Sequence, residues 1–212
     1  MLQVYLVRHG ETEFNTDGRI QGCSDSPLTI QGKNQINSVA ERVRSEGITH
    51  VISSDLGRTK QTAEIIANIC RCELSFDSRL RELRMGELEG CTIDSLTKEQ
   101  ESWRRHMVDG TVDARVPGGG ESMAELASRM RSALDSCHNL PPGSRPLLVS
   151  HGIALSCLIN TLLGLPAHSE RRLRLRNGSL SRVDYQQSLW LADGWIVEST
   201  GDVAHFSPIS GH

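Results

Sequence analysis

The sequence predicts an α/β fold: a three-layer sandwich with a mainly parallel sheet, helices on both faces and an antiparallel edge at the C-terminus. Three observations carry this. Short apolar runs alternate with helix-period segments as far as residue 163. Two of those runs are near copies, LVRHGE at 6–11 and LVSHGI at 148–153, each an apolar stretch that stops at His-Gly. Past residue 179 the pattern shortens into alternating segments, and Asp193-Gly194 between two of them is a strong hairpin signal.

Taken in order, residues 2–7 (LQVYLV) read as a buried strand entering the turn Arg8-His9-Gly10. Thr29 reads as the N-cap of a helix with Ile36, Ala40 and Val43 on its stripe and Gly47 as its stop. Residues 49–53 (THVIS) form a second strand. A helix follows from residue 58 with Thr62, Ala63, Ile66, Ala67 and Cys70 aligned, and a third strand is expected at 73–76. Residues 84–120 are more polar, with one helix at 94–108 and the run Pro117-Gly118-Gly119-Gly120; they read as an insertion within a single 1–212 domain. Met123, Leu126, Ala127, Met130, Leu134 and Cys137 mark the buried face of an amphipathic helix that ends before Pro141-Pro142-Gly143. A strand at 146–150 (PLLVS) and a helix at 153–163 come next. Short strands are expected at 179–185, 188–192 and 195–199, the last two joined at Asp193-Gly194, and 201–212 should be a mobile tail.

Composition narrows the class. A chain of 212 residues can bury a core without metal or disulfide support. Its 37% apolar and 23% charged residues fit a folded soluble protein, and a net charge of −3 predicts no general affinity for nucleic acid or anionic membrane. Cys23, Cys70, Cys72, Cys91, Cys137 and Cys157 form no C-x-x-C pair, which points to a reducing compartment. No signal peptide opens the chain, and no run approaches the roughly 18–20 apolar residues of a membrane span. The expected location is the cytoplasm.

The chemistry is concentrated at strand ends. In open α/β sheets a ligand binds beyond the carboxyl ends of the strands, which is where both His-Gly turns fall. Gly10 and Gly152 would there let a ligand approach the backbone. Arg8 precedes His9, and Arg58 opens a helix just past the second strand, where free N–H groups and the helix dipole favour an anion. Guanidinium groups grip phosphate oxygens bidentately, so histidines and arginines at one sheet edge suggest a phosphate site. There is no G-x-x-x-x-G-K-[ST] loop for ATP, and neither H-E-x-x-H nor paired C-x-x-C for a metal. The run Arg171-Arg172-Leu173-Arg174-Leu175-Arg176 is basic and alternating, the pattern of a solvated strand face or a subunit contact more than of a nucleic-acid stripe.

The run Leu6-Val7-Arg8-His9-Gly10-Glu11-Thr12, with Asn15 after it, resembles the signature of the histidine phosphatase superfamily. Arg58 within SSDLGRTKQTA, Glu82 within LRELRMGELEG and the later His151-Gly152 match its further landmarks in order. The chain is most similar to the branch containing cofactor-dependent phosphoglycerate mutase, and within it to the shorter enterobacterial members. The resemblance implies that His9 carries a phosphoryl group, that Arg8, Arg58 and His151 hold its oxygens, and that Glu82 is the acid and then the base. It further implies substrate contacts from Asn15, Gln21, Gly22, Lys60 and Gly152, with Arg104 and Arg105 of the Trp103-Arg104-Arg105 run meeting the substrate's carboxylate and phosphate. No metal or nucleotide cofactor is implied; 2,3-bisphosphoglycerate as a phosphorylating primer and a homo-oligomer both stay open.

These roles stand physically. Neutral imidazole is a competent nucleophile at pH 7, and fixed cations stabilise charge spread over the transferring phosphoryl oxygens. Three functions compete: a phosphoglycerate mutase interconverting 2- and 3-phosphoglycerate, a phosphatase acting on small phosphomonoesters through the same intermediate, and a non-catalytic phosphate-binding module. A binder has no need of His9, Glu82 and His151 together. Arg104 and Arg105 favour the mutase; the trimmed insertion, a poorer shield against water, favours the phosphatase.

Overall fold

The computed structural model describes residues 1–108, 111, 113–169, 172–187 and 193–206. Among these, six strands form one sheet: β1 (Leu2–Arg8), β2 (His50–Ser53), β3 (Glu73–Phe76), β4 (Pro146–Ser150), β5 (Leu180–Tyr185) and β6 (Trp195–Asp202). Their order is β3-β2-β4-β1-β5-β6. The first four run parallel, and β5 and β6 add an antiparallel edge. The helices are α1 (Glu13–Thr16), α2 (Ile30–Arg44), α3 (Gly57–Cys70), α4 (Lys98–Val108), α5 (Met123–Asp135) and α6 (Gly152–Leu162).

The period of two along each strand divides the core between the sheet's faces. Val4, Leu6 and Leu148 join Leu126, Met130 and Leu134 of α5 and Ala154, Leu155 and Leu158 of α6. Tyr5, Val7, Leu147 and Val149 pack on the other face against Ile36, Val39 and Val43 of α2 and Ala63 and Ile66 of α3. This is the predicted three-layer sandwich. Thr29 caps α2 as expected, its hydroxyl accepting from Gly32 N at 2.9 Å. No helix among the described residues is long and apolar enough to cross a membrane.

Within the expected insertion, Met85, Leu88 and Val116 pack in the α5/α6 core, and Glu87 N donates to Pro117 O at 2.9 Å. The last described strand pairs with β5, Trp195 opposite Tyr185; the strand expected at 188–192 lies outside the described residues. The tail expected from 201 begins as structure: β6 extends to Asp202, and His205 Nε2 donates to Gly178 O at 2.9 Å. Its residues 207–212 lie outside the description.

Candidate active site

Sheet order brings the two His-Gly turns together. β1 and β4 are parallel neighbours with Arg8 opposite Ser150, and His9 N donates to Ser150 O at 3.0 Å. His9 and His151 therefore lie one residue past adjacent strand ends, both buried, with ring centroids 5.2 Å apart. β2 flanks β4 on the other side, which carries the start of α3 and Arg58 to the same edge.

The proton positions of His9 follow from its partners. Nδ1 lies 2.7 Å from the carbonyl oxygen of Gly10, which can only accept, so Nδ1 carries the proton and Nε2 the lone pair. Burial, then the charges of Arg58 and Arg8, hold the His9 pKa well below 6.5. The ring is neutral at pH 7.

Arg58 is only 1% exposed, and its guanidinium is anchored on several sides. Nη1 donates to Ser24 O at 2.7 Å and Asp25 Oδ1 at 3.3 Å, Nη2 to Gly22 O at 2.7 Å, and Nε to His151 Nδ1 at 3.2 Å. Burial lowers its pKa, opposed by Glu82 and Asp25. The loop that supplies these carbonyls is itself clamped by Glu89, whose carboxylate accepts from Cys23 N at 2.9 Å and Ser24 N at 3.0 Å.

Glu82 ends at the start of α6. Its Oε1 accepts from Leu83 N at 3.0 Å and Ala154 N at 2.9 Å, and Oε2 from Ile153 N at 3.1 Å. Glu82 is buried, and the neighbouring Arg81 pairs with Asp55. Arg8 donates from Nη1 to Leu175 O at 2.7 Å. Around these groups lies a cavity of about 270 Å³, lined also by Asn15, Gln21, Gly22, Arg104 and Gly152. Apolar side chains share its lining: Ile20, Leu83, Met85, Ile93, Met107 and Ile153.

Several expected contacts fall elsewhere. Lys60 is exposed on the outer side of α3, its Nζ 5.4 Å from the Phe76 ring. Arg105 is exposed and does not line the cavity, because one residue's rotation along α4 turns it away from the face bearing Arg104. Arg104 does line the cavity but is bound to Glu101 at 2.7 and 2.9 Å. His151 stands behind the cavity: Nδ1 accepts from Arg58 and Nε2 donates to Ser54 Oγ at 2.9 Å, so both nitrogens are committed. The N-terminus of α3, expected to receive phosphate, holds the Asp25 carboxylate, which accepts from Gly57 N and Arg58 N. Gly10 is needed for packing against α2, since a Cβ there would meet Gly32 O at 2.6 Å.

Sequence reasoning missed Asp25, Glu89 and Asn177, whose Nδ2 donates to His9 O at 3.1 Å. Each acts across a long separation in the chain and leaves no local pattern. Among the described residues no group of three or more His, Cys, Asp or Glu could hold a metal ion.

Two buried histidines and a buried arginine at adjacent parallel strand ends, faced by a carboxylate, define a site for phosphoryl chemistry. The chain belongs to the histidine phosphatase superfamily (branch 1), whose family model matches residues 4–198. It is 67% identical over 205 residues to the probable phosphoglycerate mutase GpmB of Escherichia coli O1:K1, covering 97% of this chain and 95% of that protein. Among solved structures it is similar to Bacillus stearothermophilus YhfR, with a TM-score of 0.86, 27% identity, and 97% and 99% of the two chains covered. A phosphoserine phosphatase variant of Entamoeba histolytica, solved with phosphoserine, superposes with a TM-score of 0.84 at 26% identity, covering 98% and 100%.

Proposed function

We propose that this chain transfers phosphoryl groups through a phosphohistidine on His9 and works as a phosphoglycerate mutase interconverting 2- and 3-phosphoglycerate. The observation that carries the phosphohistidine is the His9 tautomer: an Nδ1–H held by Gly10 O and a neutral ring with its lone pair on Nε2. The mutase assignment is supported by the name of the Escherichia coli relative and by its 67% identity. An enzyme of this kind would serve glycolysis in the cytoplasm.

In the first step Nε2 attacks phosphorus, the ester P–O bond breaks, and a proton passes to the leaving oxygen by way of Glu82. Arg8 and Arg58 meet the charge on the equatorial oxygens. His151 takes a different part from the one expected of it: with both nitrogens committed, it holds the Arg58 guanidinium in place. In the second step the substrate's other hydroxyl attacks phospho-His9 while Glu82 takes its proton. A bisphosphorylated primer such as 2,3-bisphosphoglycerate would load His9 initially. Arginines supply the charge neutralisation that a metal supplies elsewhere.

A second reading has its own support. The apolar part of the cavity lining and the exposed Lys60 and Arg105 suit a phosphatase acting on less polar phosphomonoesters, with water as the second acceptor.

One assay separates the two. With 3-phosphoglycerate and a trace of 2,3-bisphosphoglycerate, a mutase forms 2-phosphoglycerate much faster than free phosphate, and His9→Ala abolishes both along with the acid-labile phosphoenzyme. Dominant phosphate release with every phosphoglycerate establishes the phosphatase; a phosphoenzyme that survives in His9→Ala overturns both. Glu82→Gln should damage turnover of alkyl phosphates far more than of aryl phosphates, because a nitrophenolate leaves without a proton.

A further inference from the structure

The alternating arginines singled out in the sequence are not absorbed by the site as described. Leu175 is buried and Leu173 packs against the same α5/α6 core, whereas Arg172, Arg174 and Arg176 are exposed. The period of two thus sends one residue type inward and turns the cations outward together. Arg8 ties this segment to the end of β1 by donating to Leu175 O.

Arg8 is also a wall common to three spaces. It lines the catalytic cavity, a neighbouring hollow of about 700 Å³ bounded by Arg174, Arg176, Asn177, Gln31 and Phe206, and a hollow of about 380 Å³ bounded by Arg172 and Arg174. No carboxylate among the described residues lines either hollow. Many arginines elsewhere on the protein are neutralised: Arg79, Arg81, Arg104, Arg129, Arg131 and Arg182 all bind carboxylates. Among the described residues Arg174 and Arg176 have no such partner.

We infer that Arg174 and Arg176 form an anion subsite beside the catalytic cavity, which takes a second anionic group of the phosphorylated substrate. This rests on the proposed phosphoryl transfer at His9. The substrates it favours are phosphomonoesters that carry a further phosphate or a carboxylate. Charge is the recognition element, because the two cations are exposed, have no carboxylate partner and line a hollow that shares the Arg8 wall with the catalytic cavity. Arg104, already bound to Glu101, is less able to serve that second charge.

The test compares propyl phosphate with 1,3-propanediol bisphosphate and with 3-(phosphonooxy)propanoate, which differ in the second group. The wild-type chain should prefer the doubly anionic substrates in kcat/KM, and the two arms show whether phosphate or carboxylate is favoured. In the Arg174→Gln/Arg176→Gln double variant that preference ratio should fall about tenfold, chiefly through KM, as expected for two exposed ion pairs. High salt should lower the wild-type ratio in the same direction. A wild-type chain without the preference, or a double variant that keeps the full ratio, overturns the subsite. Calorimetric binding of 1,3-propanediol bisphosphate to the His9→Ala chain, with and without the arginine changes, reads the subsite independently of turnover. Loss of affinity there supports the inference even where no phosphohistidine forms, and unchanged affinity overturns it.

Discussion

At the scale of single residues, the protein sets the charge of its histidines by where it buries them. His9 and His151 lie beside Arg58, and burial with that cation holds both pKa values well below 6.5. In the unfolded chain both return to about 6.5. Below that pH the unfolded state takes up protons that the folded state refuses, so stability falls as pH falls. The loss begins near pH 6.5, runs at up to about 1.4 kcal/mol per pH unit for each histidine, and levels off at the folded pKa values. Above pH 7 these groups contribute no slope. Urea midpoints at pH 7.5, 6.0 and 5.0 should show this, and His9→Gln and His151→Gln should each flatten the slope. A full slope in both variants would assign the protons to other groups. The neutral state of His9 was legible only as a requirement of nucleophilic chemistry; its cause, burial and then two guanidinium groups, needed the packed structure.

At the scale of elements, two helix N-termini are each closed by a carboxylate from a distant loop, Asp25 on α3 and Glu82 on α6. The loop bearing Glu82 is held in turn by Arg129 of α5. Its guanidinium donates to the carbonyls of Arg79 and Arg81 at 2.6 Å and of Glu82 at 2.9 Å, and it pairs with the buried Glu121. Arg129→Met would strip donors from three carbonyls and leave Glu121 buried without its cation. A stability loss of about 3 kcal/mol is expected, and much of it should return when Glu121→Leu is added. Because the loop carries Glu82, the single variant should also lose more activity on alkyl than on aryl phosphates. Equal losses on the two substrates would limit Arg129 to folding. Thr29 as the cap of α2 could be read from the sequence because cap and helix are adjacent. Asp25 could not, because the donors it meets are 33 positions or so away in the chain.

At the scale of the whole molecule, a net charge of −3 coexists with a cationic catalytic edge. Net charge sums over the surface, while local potential depends on which strands end side by side. Placing β4 between β1 and β2 gathers Arg8, His9, Arg58 and His151 into one volume. In the proposed mechanism guanidinium groups meet the phosphoryl charge, so turnover should be unchanged in excess chelator, and vanadate should inhibit by adopting the trigonal-bipyramidal geometry of the transition state. Loss of activity on chelation, restored by adding metal, would contradict that account.

The sequence by itself marked most of the elements and the candidate site residues, because both are local. Apolar period marks strand or helix over a handful of residues, and LVRHGE and LVSHGI announce themselves by likeness alone. Only the tertiary structure decided what those residues face. It drew Asp25 and the carbonyls of Gly22 and Ser24 around Arg58, turned His151 toward Arg58 and Ser54, left Lys60 and Arg105 outside the cavity, and set Arg174 and Arg176 beside Arg8. Those outcomes depend on strand order and on the rotation of each helix about its own axis. Both are settled by burying apolar faces across the whole chain, and no short stretch of sequence contains that information.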